Sequence, residues 1–308
     1  MAFTAMDVKK LREMTNVGMM DCKKALSATD GDMDAAIDWL REKGLAKAAK
    51  KADRVAAEGI ALATVVDGIG VVIEVNSETD FAAKTDAFKD LVKNLAIVVA
   101  KENPADVEAL KACKYPDSNL TVTEIMQEKV MSIGENMQIR RFARFADNTS
   151  VAYVHAGGSH GVLVNLAVEG DIDATEIGKN VAMQIAAMGP KYWDKSLVPA
   201  ADVEHEMAVQ VALMENDPKM ASKPAQVKEK IAAGKLNAFY KEMCLLQMDF
   251  VRSDLFQGSV EGYIADAAKK LGGSVKFVDA CHFIKGEGIE KKEEDFAAEV
   301  AAQINGAK

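Results

Sequence analysis

Asn76-Ser77-Glu78-Thr79-Asp80-Phe81-Ala82-Ala83-Lys84 is a polar stretch that carries one large aromatic side chain, and the rest of the chain is organised around it. Before it, Val71-Val72-Ile73-Glu74-Val75 is a short β-branched run of the kind that forms a buried strand. After it, Phe88, Leu91, Val92, Leu95 and Val99 recur at helical spacing on one face, with Thr85 or Asp86 placed to cap. This strand-loop-helix frame owns its core residues, so Phe81 has no evident slot in the polar loop. Two readings stand. Phe81 folds back as a loop anchor, or Asp80 and Phe81 form a rigidly held probe for a partner, since aromatic residues dominate interface hot spots and functional side chains sit on scaffold-held loops.

Outward from this frame, Ile60, Leu62 and Thr64 alternate with alanines, Asp67-Gly68 marks a hairpin, and the Val71–Val75 strand returns. The plan recurs. Val151–His155, the turn Gly157-Gly158, the strand Val162–Leu166 and a helix bearing Ile177, Val181, Ile185 and Met188 repeat the order, and Gly70 matches Gly161 at the start of each returning strand. The pattern predicts a duplicated hairpin-loop-helix α+β core with halves 59–145 and 146–284. Between the copies, Ile125, Met126 and Val130 predict a helix, and Met137–Phe145 reads as a strand or strand edge with Arg140 and Arg141 exposed. Pro104 and Pro116 bracket a polar excursion tolerant of insertion.

Residues 4–44 read as three short helices, with Thr4 and Asp7 forming an approximate cap and Asp30-Gly31-Asp32 a turn. So small a module makes a marginal core and leans on something else. Met19 and Met20, just after Gly18, are either core filler or a soft contact surface at a helix entrance. Residues 45–58 form an Ala/Lys-rich connector helix. After Pro199, Val203, Met207, Gln210 and Met214 predict a helix, and Val227, Ile231 and Ala238 a second, giving an antiparallel helical hairpin inserted at 200–246. Ser259 caps a helix stopped by Gly272-Gly273, and Val275–Ile284 completes the second sheet. Phe296, Val300 and Ile304 predict a C-terminal amphipathic helix within 285–308.

Four stretches carry a resemblance to a known family. Glu74-Val75-Asn76-Ser77-Glu78-Thr79-Asp80-Phe81 is one; Thr15 to Leu26, Ile133 to Arg141, and Gly286-Glu287-Gly288-Ile289-Glu290-Lys291 with Asp295 to Val300 are the others. In this order and over the whole chain, they resemble the bacterial translation elongation factor Ts family, the nucleotide-exchange factors for elongation factor Tu. The resemblance implies that residues 1–44 are a ubiquitin-associated-like module gripping the GTPase domain through Met19, Met20 and Lys23, with Lys51 a further contact. It also implies contacts from Thr79, Asp80, Phe81, Ile133, Gly134 and His155, and docking of the C-terminal helix on the same domain. The hairpin would touch a second copy, making a homodimer, or the GTPase's outer domain. Three departures from the family pattern are Ala82 for Val, Lys235 for Arg, and Met248-Asp249 in place of a Gln-Pro-Phe form.

The bulk properties narrow the function classes. With 308 residues, 49% hydrophobic and 28% charged, the chain reads as globular, with two or three domains. A net charge of -9 argues against broad nucleic-acid contact, and Lys47, Lys50, Lys51 and Arg54, the one basic cluster, reads as a solvated helix face. The cysteines are scattered, with no spacing suited to zinc, and fit a reducing compartment. With no leader pattern and no long apolar run, the reading is cytoplasmic and off the membrane. Phosphate-loop, nucleophile-elbow and zinc-hydrolase motifs are missing, so the expectation is no enzyme, no cofactor and no metal. The rival is a binding module whose head captures polypeptides on a scaffold, with no action on any nucleotide.

Overall fold

A computed structural model describes residues 3–15 and 17–290, with the backbone alone for 45–50. The expected C-terminal helix around Phe296 lies outside these residues. The chain is mixed α+β, with two three-stranded antiparallel sheets ordered β1-β2-β3 and β4-β5-β6. The first comprises β1 (Glu58–Val66), β2 (Ile69–Ser77) and β3 (Met137–Phe145); the second comprises β4 (Thr149–His155), β5 (His160–Glu169) and β6 (Ser274–Ile284).

Both sheets follow one plan. Each begins with a hairpin, carries its most buried strand in the middle, and receives its third strand after an excursion through helices. The third strands bulge at matching places, with Arg140 of β3 the extra residue opposite Glu74 and Val75 and Val278 of β6 the extra residue opposite Asn165 and Leu166. Alternation sorts the side chains of the central strands. Val71, Ile73 and Val75 pack under α5 (Asp86–Glu102) with Phe88, Leu91, Val92, Leu95 and Val99, all buried. Val162, Val164 and Leu166 do the same against α8 (Thr175–Met188). The opposite faces meet through Ala61, Ala63, Val72, Leu163 and Phe283. The order is therefore helix, sheet, sheet, helix, and a strand covered on both faces reads as a continuous apolar run.

The approach of the sheets explains the paired glycines. A Cβ at Gly70 would lie 2.4 Å from Ser150 Oγ, and one at Gly161 2.9 Å from the Ala61 carbonyl oxygen. The two positions open the central strands where each crosses the other sheet.

The head consists of α1 (Ala5–Thr15), α2 (Met19–Ala28) and α3 (Met33–Lys51), closed on Val8, Leu11, Cys22, Leu26, Ala36 and Leu40. Thr4 and Asp7 cap α1 reciprocally: the Thr4 N–H donates to Asp7 Oδ2 at 2.7 Å and the Asp7 N–H to Thr4 Oγ1 at 3.3 Å. The third head helix and the expected separate connector are one helix, because α3 runs unbroken through Gly44 to Lys51. It leans on α7 (Val122–Ile133), where Met131 joins the head's core and Arg41 pairs with Glu124 and Glu128 at 3.4 and 3.7 Å.

Two further expectations change. The excursion between Pro104 and Pro116 contains α6 (Val107–Ala112), whose Leu110 is fully buried in the first core. Arg140 and Arg141 are half-buried and paired, reaching Glu74 at 3.0 and 2.6 Å. The inserted hairpin is present as α9 (Ala200–Asn216) and α10 (Ala225–Met243). Its buried residues are Met214, Lys228 and Ala232, while Val227 and Ala238 of the expected stripe face solvent. The last helix of the described residues, α11 (Val260–Lys270), starts at Ser259, whose Oγ accepts from the Gly262 N–H.

Candidate partner-binding site

The quoted stretch is not a loop throughout, because Asp80–Lys84 forms a single helical turn, α4. Thr79 Oγ1 caps it by accepting the Ala82 N–H at 3.2 Å. Ala82 and Ala83 turn inward and are buried. One residue earlier on the turn, Phe81 is left outside, 79% exposed. The ring does not fold back into the core. The Lys84 ammonium lies over the ring, 5.9 Å from its centroid. That ammonium also holds Asp80 at 2.6 Å and keeps the Asp80 carboxyl below its ordinary value. An exposed aromatic on a capped turn is the arrangement of a side chain kept for another molecule.

The turn is held by residues from the third quoted stretch. Glu135 accepts the Thr79 N–H at 2.9 Å through Oε2 and the Thr79 hydroxyl at 2.6 Å through Oε1. Reciprocally, Glu78 Oε1 accepts the Asn136 N–H at 2.6 Å. The Asn136 amide donates to the Arg54 and Ala52 carbonyls at 2.8 and 3.3 Å, and Arg54 reaches Glu78 at 3.4 Å. Lys51, the last residue of α3, donates to the Gly134 carbonyl. The head's final helix, the Gly134-Glu135-Asn136 turn and the Phe81 turn are thus joined through neighbouring hydrogen bonds.

The structure brings Thr79, Asp80 and Phe81 together on α4, with Ile133 and Gly134 beside them at the C-terminal end of α7. Lys51 meets Gly134 of its own chain, so its ammonium already has an acceptor. Met19, Met20 and Lys23 are exposed on α2, at the entrance of the head and outside its buried cluster. His155 closes the β4–β5 hairpin opposite His160, with Nδ1 2.9 Å from the Tyr153 hydroxyl. Past the end of β6, the Lys285 N–H donates to the Ser159 carbonyl at 2.9 Å, and its positive charge lowers Asp80 further.

Sequence reasoning missed Glu74, Glu78, Glu135 and Asn136. Glu74 is fully buried, yet its carboxylate stays below its ordinary value. Burial pushes it up, but the Gly286 N–H, Arg141, Asn76 and Arg140 outweigh that by hydrogen bonding. The signal was a single acid inside a β-branched run. For Glu135 it was a carboxylate directly after the glycine that ends a helix, since Gly134 adopts φ 90° there.

Among the described residues no group of three or more His, Cys, Asp or Glu could hold a metal ion, and no helix is long and apolar enough to cross a membrane. A family model described as "Elongation factor TS" matches residues 78–286. Elongation factor Ts of Clostridioides difficile (strain 630) is 45% identical over 307 residues, covering 98% of this chain and 98% of that protein. The elongation factor Ts of Magnetococcus marinus is 42% identical over 309 residues, covering 99% and 100%. That of Beijerinckia indica subsp. indica is 46% identical over 311 residues, covering 98% and 98%. With the family match running from the Phe81 turn to the end of the second sheet and the relatives aligned along nearly the full chain, this protein belongs to the elongation factor Ts family.

Proposed function

We propose that the chain is a guanine-nucleotide exchange factor of translation elongation, which binds GDP-loaded elongation factor Tu in the cytoplasm and promotes release of the GDP. Family membership supports the class. The observation that carries the mechanism is the Phe81 ring, 79% exposed on a capped and clamped turn. Exchange works by linkage: a factor that binds the empty GTPase more tightly than the loaded one weakens GDP by the same factor. Typical allosteric coupling is about 1–3 kcal/mol, and expelling a tightly held nucleotide takes several times that, so the factor must rebuild the site. The ion bridging the phosphates is the natural target, because it and the loops around it carry most of the phosphate charge.

In this reading Phe81 wedges between elements of the GTPase beside its magnesium site, while Asp80 anchors the turn or repels a nearby acid. The head 1–44, through Met19, Met20 and Lys23, supplies affinity that drives the insertion. The core halves 59–145 and 146–284, through Ile133, Gly134 and His155, add to it, as do Lys51 of the 45–58 connector and the tail 285–308. The hairpin 200–246 is an accessory contact, to the GTPase or to a second copy. No covalent step and no cofactor of its own are involved. The test is release of fluorescent GDP from elongation factor Tu, chased with unlabelled GDP, with and without the chain. Release accelerated by catalytic amounts of the chain is expected. An unchanged release rate at saturating chain returns the protein to the class of scaffolds with a polypeptide-binding head.

A further inference from the structure

A five-residue turn such as α4 does not hold its own shape, because helix nucleation is unfavourable and isolated helices shorter than about 12–15 residues are marginal in water. Its direction must be set from outside. Ala82 and Ala83 bury one side, but methyl groups do not fix a rotation. Thr79 does, through the bond from the Ala82 N–H to its hydroxyl. A threonine hydroxyl rotates freely unless its own proton is engaged. Here that proton goes to Glu135 Oε1 at 2.6 Å, while Glu135 Oε2 takes the Thr79 N–H at 2.9 Å. The two-point grip fixes both the backbone and the hydroxyl of the capping residue and leaves the hydroxyl lone pairs directed at Ala82.

We infer that Glu135 is a positioning residue for nucleotide release: it orders the Phe81 turn before the partner arrives. The inference rests on the exchange-factor reading and goes beyond it, since that reading needs only an exposed Phe81. An aromatic on a loose connection would lose conformational freedom during docking and weaken its insertion, whereas a pre-ordered one has lost it on folding. The effect of Glu135 falls on the insertion step, because overall affinity comes from the head and core surfaces elsewhere.

The full chain is tested as Glu135→Ala, Glu135→Gln, Phe81→Ala and the Phe81→Ala/Glu135→Ala double variant, with fluorescent GDP on elongation factor Tu. Loss of a charged acceptor serving two donors should lower the saturating release rate by about tenfold. The half-saturating concentration should stay within about twofold, separating insertion from binding. Glu135→Gln should give a rate between those of wild type and Glu135→Ala, since its amide oxygen can still accept the Thr79 N–H but its NH2 cannot accept the hydroxyl proton. The double variant should be no slower than Phe81→Ala, and amide exchange at Ala82 and Ala83 of free Glu135→Ala should accelerate. A wild-type rate for Glu135→Ala beside a slow Phe81→Ala overturns the positioning role and spares the exchange mechanism. A slowing by Glu135→Ala that persists in full on the Phe81→Ala background also overturns it, as a structural defect would. A wild-type rate for Phe81→Ala overturns the wedge itself.

Discussion

Glu74 carries an ionised group into the protein interior, and its surroundings set how the protein responds to acid. Its folded carboxyl lies below the ordinary 4.5, so its contribution to stability is complete above that value and disappears as pH falls through the folded one. His160 and His282 work in a different window. Their rings stack with Nδ1 and Nε2 2.9 Å apart, and burial, then the charge of neighbouring histidines, lowers both from 6.5. Glu287 opposes both shifts, while Arg141 adds to that of His282. The folded state therefore resists protonation, and stability starts to fall as pH drops below 6.5. Melting temperatures across pH should show two losses, the earlier one reduced in His282→Asn and the later one reduced in Glu74→Gln. A single loss untouched by either variant would contradict this assignment. Neither device was legible in the sequence: Glu74 read as part of an apolar run, and His160 and His282 are 122 positions apart until β5 and β6 pair.

The legible elements are those whose signal is local. α5 and α8 came from spacing alone, because their apolar faces lie on strands and every expected core residue except Met188 is buried or half-buried. α7 shows what capping adds: Thr121 and Glu124 form a full reciprocal capping box. Thr121→Ala should lower unfolding free energy by about 1 kcal/mol in urea titration, the usual cost of a lost N-cap. No change would mean that contacts with the head, not the cap, hold the start of this helix. Less local features were harder to read. The continuity of α3 through Gly44 follows from packing against Met131, as a Cβ at Gly44 would fall 2.2 Å from the Met131 sulfur. The α4 turn exists because Thr79 is gripped by Glu135, 56 positions away. Its aromatic could be singled out in the sequence as surplus to the core, but not its support.

Over the whole molecule, two sheets back to back with helices outside make a firm body, and the head is attached to it through α3 and α7. Gly70 and Gly161 were visible as a repeated position, while their reason, a second sheet within contact distance, was not. A packed body that leaves the Phe81 ring outside separates stability from the proposed function: Phe81 contributes little to the fold, and in the proposed mechanism it is buried only on docking. The most direct measurement is the saturating rate of GDP release from elongation factor Tu with Phe81→Ala, at concentrations where gel filtration shows the complex formed. A rate about a hundredfold below wild type, with an unchanged melting temperature, is expected if the ring supplies roughly 2.7 kcal/mol to the release step. A wild-type rate from a fully bound, fully folded Phe81→Ala protein would contradict the mechanism.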